Sequence, residues 1–452
     1  MNDEIISSKL EDADIEQIRG VLRPWYATKG GMLAIERMGK CFSCPLKTNR
    51  LLTETALPGS YQRVHWVGVL DPDLITFDII MKTDRGTTYN AYLVRGDTQM
   101  ALVETVKAGF ETELLDKVAT LADPGRIDYV VLNHTEPDHS GAVGAVLERA
   151  PGATVVGTAK ALQFLQEMLN RDFAKRAVKQ GDALDLGGLA LRFMPAPFLH
   201  WPDTMFTWLE QERVLFSCDV FGAHFADEAM LEDAVTGDFW PALRHYYDAI
   251  MGPFAPHVQR GLKALDGLPV ETICPSHGPI LRTGAARAIE AYRTWSAPER
   301  REKPLAVVCY ASIYGYTLAL ARAVAMGLQA EGAEVEMLDL EETPAHDAAA
   351  ACGRADIVVM GSPTINASPA PPAAEALAHL DPFRAKGKVF GAFGSYGWSG
   401  EAVEALLQRA SELRMRTVAP GVRVTFSPTG ADLERARQYG VDLVKALASP
   451  PQ

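Results

Sequence analysis

His134-Thr-Glu136-Pro-Asp138-His139, followed at widening intervals by His200, Asp219 and His277, sets the terms for any fold this chain can adopt. Seven side chains able to bind metal are spread over four segments. Each segment comes just after a run that reads as a β-strand: Ile127 to Asn133, Leu191 to Pro195, Val214 to Ser217 and Val270 to Cys274. Loops that leave one edge of a sheet layer converge, so residues distant in sequence meet there. The chain therefore needs a sheet whose strand ends share an edge.

Four imidazoles and three carboxylates can hold two ions side by side. His134 and Glu136 suit one ion, and Asp138 and His139 suit the other. Asp219 has two oxygens and can bridge them. Carboxylate oxygens also offset the charge of about 2+ that each ion carries into a partly buried site. The spacing resembles the metallo-β-lactamase motif His-x-His-x-Asp-His, with Glu136 at the second position. Zinc is satisfied by imidazole and thiolate, whereas a mixed imidazole and carboxylate set with open positions suits redox-active iron. Pro137 disfavours helix and strand alike, so the motif is expected to be a fixed loop. The isolated His245 and His257 read as surface or capping residues.

At 452 residues the chain exceeds one ordinary core, and two domains are expected. Residues 1–60 form a lead-in of unknown role, in which Ile15, Ile18 and Leu22 have helical spacing up to Pro24. Its Cys41-x-x-Cys44 has no second pair nearby and reads either as two ordinary loop thiols or as a redox dithiol. Residues 61–298 alternate short strands with helices, which suggests a sheet-on-sheet core flanked by helices. Val64 to Leu70, Phe77 to Met81 and Asn90 to Val94 read as consecutive strands. Thr204 to Glu210 and Val214 to Ser217 read as a hairpin. The charged, proline-bounded stretch from Ala297 to Pro304 is the expected linker.

From 299 to 452 the rhythm changes to five βα units, the pattern of a doubly wound parallel sheet. The net charge of −13 argues against nucleic acid, whose binding needs phosphates neutralised by Lys and Arg. No apolar run approaches the roughly 20 residues of a membrane span. The acidic start lacks a signal-peptide pattern. Cys218, Cys274 and Cys309 lie in apolar runs as small hydrophobes, so a reducing, cytoplasmic setting is expected.

The second half carries three strand-end loops. The first strand leads into Ser312-Ile313-Tyr314-Gly315-Tyr316-Thr317 and then a helix. Hydroxyls and backbone N–H groups at such a turn make a phosphate cradle. Neither Gly-x-Gly-x-x-Gly nor a Walker lysine is present, so a monophosphate such as that of FMN fits better than NAD or ATP. Ser362-Pro363-Thr364-Ile365-Asn366 and Ser395-Tyr396-Gly397-Trp398-Ser399-Gly400 follow the third and fourth strands, at the edge where doubly wound sheets bind ligands. Tyr396 and Trp398 offer aromatic surface to an isoalloxazine ring.

These residues together resemble the flavodiiron, or A-type flavoprotein, family, over about residues 64–448. The resemblance implies an α/β chain: an αββα metallo-β-lactamase-like sandwich followed by a flavodoxin-like doubly wound parallel sheet. It implies two non-haem irons, one held by His134, Glu136 and His200, the other by Asp138, His139 and His277, with Asp219 bridging. It implies FMN in the three loops just named. The expected activity is reduction of dioxygen to water, of nitric oxide to nitrous oxide, or both. A head-to-tail homodimer is implied, with pairing into tetramers left open. No rubredoxin or flavin-reductase module follows Gln452, so a separate electron donor of such a kind is expected. The chain departs from the family at Phe77-Asp-Ile-Ile80, where members often carry His-Gly-Tyr beside the substrate pocket. The alternatives from the residues alone are a zinc hydrolase with an appended flavodoxin domain and a non-catalytic flavin carrier or sensor.

Overall fold

A computed structural model describes residues 63–78, 81–298 and 301–448. The lead-in, with Cys41 and Cys44, lies outside the described residues. The first half holds two sheets face to face. One has six strands in the order Val64–Trp66, Tyr92–Arg95, Met100–Val103, Tyr129–Val131, Thr154–Gly157 and Lys175–Ala177. The other has five, Ala183–Asp185, Ala190–Pro195, Met205–Leu209, Val214–Cys218 and Thr272–Pro275.

Side chains alternate across each strand, and this sorts the core into layers. Tyr92 and Val94 face the second sheet and pack with Phe193, Val214 and Phe216. Leu93, between them, faces outward onto Leu114, Val118 and Val146 of the covering helices. On the far side Phe206, Leu215 and Ile273 pack on Leu243, Val258 and Tyr292 of the helices that cover the second sheet. The result is the αββα order, with the strand-end loops opening at one edge.

Two expectations change in detail. The run from Val64 to Leu70 breaks into Val64–Trp66, which pairs with Tyr92–Arg95, and Val69–Asp71, which pairs with Thr87–Tyr89 in a separate sheet. The run from Phe77 becomes a small antiparallel pair, Thr76–Phe77 with Met81–Lys82. The hairpin of Met205–Leu209 with Val214–Cys218 forms as expected.

The second half is one parallel sheet in the order Glu334–Asp339, Leu305–Tyr310, Ile357–Gly361 and Val389–Tyr396. Val422–Thr425 and Arg416–Thr417 both pair with that last strand. Val307 and Cys309 point to one helix layer, Ala306 and Val308 to the other, so both faces are covered. Helices Tyr316–Ala330 and Gly430–Ala448 cross so closely that a Cβ on Gly327 would meet the Arg437 carbonyl oxygen at 1.8 Å. Only glycine permits that approach. The two halves touch where the rings of Phe254 and Phe383 pack at a 45° tilt, with centroids 4.5 Å apart, and Arg384 donates to the Asp248 carbonyl at 2.8 Å. No described helix is long and apolar enough to cross a membrane.

Candidate metal centre and flavin cradle

All seven predicted ligands meet at the sheet edge, and they sort into two clusters. His134, Glu136, His200 and Asp219 form one group; Asp138, His139 and His277 form the other. In the first, Glu136 Oε2 lies 3.1 Å from His134 Nε2 and 3.3 Å from His200 Nε2. Asp219 Oδ2 faces the same imidazoles at 3.8 and 3.5 Å. In the second, Asp138 Oδ2 is 3.1 Å from His277 Nε2, and Asp219 Oδ1 lies 3.2 Å from His139 Nε2 and 3.4 Å from His277 Nε2. One oxygen of Asp219 thus serves each cluster.

The local backbone explains the arrangement of the first motif. Pro137 does not hold a loop here; Pro137–Ser140 is a single helical turn. Proline at the first helical position loses no hydrogen bond, since that N–H has no partner in a helix anyway. The turn swings Asp138 and His139 away from Glu136, so four adjacent residues divide between two clusters.

Second partners fix which way the imidazoles face. His277 Nδ1 lies 2.6 Å from the Thr88 carbonyl, which can only accept, so Nδ1 carries the proton and Nε2 presents a lone pair. His134 Nδ1 lies 3.1 Å from both oxygens of Asp203, whose carboxylate is itself held by the Thr135 amide at 2.8 Å and hydroxyl at 2.7 Å. Tyr246 donates to Asp219 Oδ1 at 3.2 Å.

The clusters fit cations. Lone pairs of His277 Nε2 and Asp138 Oδ2 face each other at 3.1 Å, which is repulsive without a positive charge between them. Both Asp138 oxygens and His139 Nε2 are buried with no hydrogen-bond partner among the described residues. Such atoms are costly unless an ion takes them up. Two ligands each about 2.1 Å from one ion lie roughly 3.0–3.4 Å apart, close to the spacings observed.

In the protein alone, protons do part of this work. Burial by itself would lower the imidazoles, but the facing carboxylates reverse it and push His134, His139 and His200 up to about 10. Burial likewise opposes ionised Asp138, and the His139 and His277 imidazoles overcome it, holding its carboxyl down at about 2.

Several contributors carried no sequence signal. Asp203, Thr88 and Tyr246 act only through tertiary contact. Glu104 is fully buried at a strand end, accepts the Asn133 amide at 2.8 Å, and burial pushes its carboxyl up to about 8. His224 packs on Phe77, with ring centroids 4.3 Å apart, and Phe77 in turn meets His277 edge-on at 5.4 Å. Cys218 lies beside His139 and Asp219. Burial and the Asp219 charge raise its thiol well above the usual range, so it stays a thiol. His245 and His257 join neither group.

In the second half, the Ser312 loop and the Ser362 loop leave adjacent parallel strands on opposite sides of the point where strand order reverses. Ligands bind at that point in doubly wound sheets. Gly315 has φ +81° with open space where a Cβ would stand, and it caps helix Tyr316–Ala330. Ser312 Oγ accepts the Leu318 amide at 3.1 Å, and Thr317 Oγ1 lies 3.1 Å from Ser395 Oγ, tying the first loop to the third. These features leave backbone N–H groups of the turn for a phosphate. Ser362 differs: its hydroxyl donates to the Pro363 carbonyl and accepts the Ala370 amide, so it holds the loop. Thr364 and Ile365 pair with Ser368 and Pro369 in a hairpin turned by Asn366 and Ala367, both at positive φ. Ile313, Tyr314 and Trp398 stand exposed around the rim, Trp398 fully.

Comparison with known proteins agrees with both halves. Residues 87–278 match the family model described as ODP family beta lactamase, and 308–440 match Flavodoxin. The type A flavoprotein of Rhodobacter capsulatus is 42% identical over 85% of this chain and 90% of its own length. The chain is a flavodiiron protein. Another relative, named nitric oxide reductase, from Moorella thermoacetica, is 38% identical over 85% of this chain and 97% of its own. Among solved structures, rubredoxin oxygen:oxidoreductase from Desulfovibrio gigas aligns with a TM-score of 0.66 at 32% identity, over 86% of this flavodiiron chain and 98% of that one. As a flavodiiron protein it is an oxidoreductase with FMN and a diiron site as its cofactors.

Proposed function

We propose that this chain reduces dioxygen to water, nitric oxide to nitrous oxide, or both. The observation that carries the reading is Asp219, with one carboxylate oxygen in each cluster. We assign His134, Glu136 and His200 to one iron, Asp138, His139 and His277 to the other, and Asp219 to both. When bound, the flavin and the irons supply the electrons: four to turn dioxygen into two waters, two to couple two nitric oxides into nitrous oxide and one water.

The protein's own part is positioning. Asp203 and the Thr88 carbonyl hold His134 and His277 with Nε2 inward. Tyr246 steadies Asp219. In the second half, Ser312 to Thr317 would take the phosphate, while the loops of 362–366 and 395–400 would flank the ring.

A head-to-tail homodimer belongs to this reading, and the sheet direction supports it. The contact between the halves involves Phe383 and Arg384, which precede strand Val389–Tyr396 and so lie at the amino end of that sheet. The flavin loops lie at the carboxyl end, roughly 25 Å away along a strand rising about 3.3 Å per residue. A chain's own flavin is thus turned from its own metals, and a second copy brings the two together. Domain boundaries near 298 and a separate electron donor belong to the same reading. The buried free thiols suit a reducing cytoplasm.

Anaerobic reduction followed by separate exposure to each gas, with products and metals quantified, tests this. Two irons per chain and stoichiometric water or nitrous oxide are expected. Two zincs with hydrolase activity and no gas consumption would overturn it.

A further inference from the structure

Glu104 is a buried acid beside the metal clusters that the ligand set does not use. It follows strand Met100–Val103 and is 1% exposed. Its φ is +60°, in the left-handed region that a residue with a Cβ enters only at a cost. The backbone here braces the first ligand motif from behind. The Glu104 N–H donates to the Val131 carbonyl at 2.8 Å, and the Thr105 N–H donates to the His139 carbonyl at 3.0 Å. The Glu104 side chain reaches under the same motif, where one carboxylate oxygen, Oε1, accepts the Asn133 N–H at 2.8 Å. The brace thus runs from the root of His134 to the root of His139.

The other oxygen, Oε2, is sealed in the interior with no hydrogen-bond partner among the described residues. A bare carboxylate oxygen in such a place is costly. A glutamine would accept the Asn133 N–H equally well and carry no charge, so the hydrogen bond alone does not account for an acid. The charge does. The positive groups that Glu104 faces are His139 and His134, one imidazole from each cluster, and Asp219 lies on the same side. In the metal-free protein burial pushes its carboxyl up to about 8, against the pull of those imidazoles. Two divalent ions outweigh the three ligand carboxylates, so loading strengthens that pull.

We propose that Glu104 is a positioning residue of the diiron centre: a fixed negative charge behind both irons that favours their ferric over their ferrous state and keeps the reduced pair strongly reducing. The inference rests on the assignment of two irons to these clusters. No bond forms or breaks at Glu104. Each iron loses one electron on going from ferrous to ferric, and the nearby charge changes only the energy of that loss. A ferric ion gains one more unit of attraction than a ferrous one, which at an effective dielectric of about 20 is worth about tenfold in the ratio of the two states.

The test uses the flavin- and iron-loaded protein and reads the irons by EPR-monitored redox titration. Glu104→Gln keeps an acceptor for the Asn133 N–H and removes the charge. The ratio of ferric to ferrous iron at a fixed potential is expected to fall about tenfold, an upward shift of about 59 mV for a one-electron step. Two irons per chain and the flavin potential should stay as they were. Glu104→Asp, one methylene shorter, gives up the hydrogen bond but keeps the charge, and should remain near the wild-type potential. Glu104→Met, neutral and of similar volume, serves if Gln prevents folding, and should shift the same way. Wild-type iron potentials in the neutral variants overturn the proposal. So does a shift in Glu104→Asp as large as in Glu104→Gln, which would leave Glu104 a hydrogen-bonding brace and nothing more. Wild-type protein that does not hold two irons per chain would instead sink the assignment beneath it.

Discussion

The metal half and the flavin half solve opposite problems with the same device, loops at the end of strands. In the first, Asp138, His139, Asp219 and His277 are buried, and further partners such as Asp203 and Thr88 hold the imidazoles in place. In the second, Ile313, Tyr314 and Trp398 stand in solvent, and the buried hydroxyls of Thr317 and Ser395 serve to join loops. An ion gains most from donors already desolvated and aimed, because the cost of gathering them is met by folding. A flavin that exchanges electrons with other surfaces needs one side left open. The contrast teaches that rigidity is placed where charge is concentrated and access where electrons enter.

Asp219→Ala attacks the rigid half at its shared point and carries the largest expected effect. Turnover should be abolished and iron content should fall in both positions, while the flavin stays bound and yellow. Metal analysis beside the visible spectrum checks this; full activity in the variant would break the assignment. Trp398→Ala is the reciprocal probe. Losing one exposed aromatic contact, worth about 0.5–1.5 kcal/mol, should weaken FMN retention by roughly two- to twelvefold and leave iron untouched. Titration of released flavin measures it, and loss of iron in this variant would erase the distinction between the halves.

The smallest effect is one of pH. His134, His139 and His200 sit at about 10 in the folded metal-free protein against an ordinary value near 6.5. A raised imidazole adds stability that is complete below the unfolded value and disappears as pH climbs through the folded one. Iron-free protein should therefore lose melting temperature between about pH 6.5 and 10, by roughly 2–4 °C for each kcal/mol lost. Iron-loaded protein should stay flatter, since the ion replaces those protons. Parallel melting curves across that range decide it; identical slopes for the two forms would show that the clusters do not hold protons in place of metal.

Much of this is legible in the residues. Their types and spacing mark all seven side chains that the fold gathers into the two clusters, because ligand chemistry permits few alternatives and strand ends are visible as apolar runs. The change of rhythm after Pro304 marks the parallel sheet, since βα units bury strands on both faces. The helical turn at Pro137 is not legible in the same way. Proline's local effect depends on whether it begins a helix or interrupts one, and the residues packed against the turn decide that. The loop at Ser362 hides a hairpin because Asn366-Ala367 lacks the glycine that usually announces such a turn.

By itself the sequence determined the donor set, the two sheet types and the order of the halves, because these follow from residue chemistry and from hydrophobic period. Tertiary structure alone decided that Asp219 gives one oxygen to each cluster and that Asp203 and the Thr88 carbonyl turn the imidazoles inward. Those are matters of distance between residues up to 189 positions apart, and only the packing of two sheets brings such residues within reach of one another.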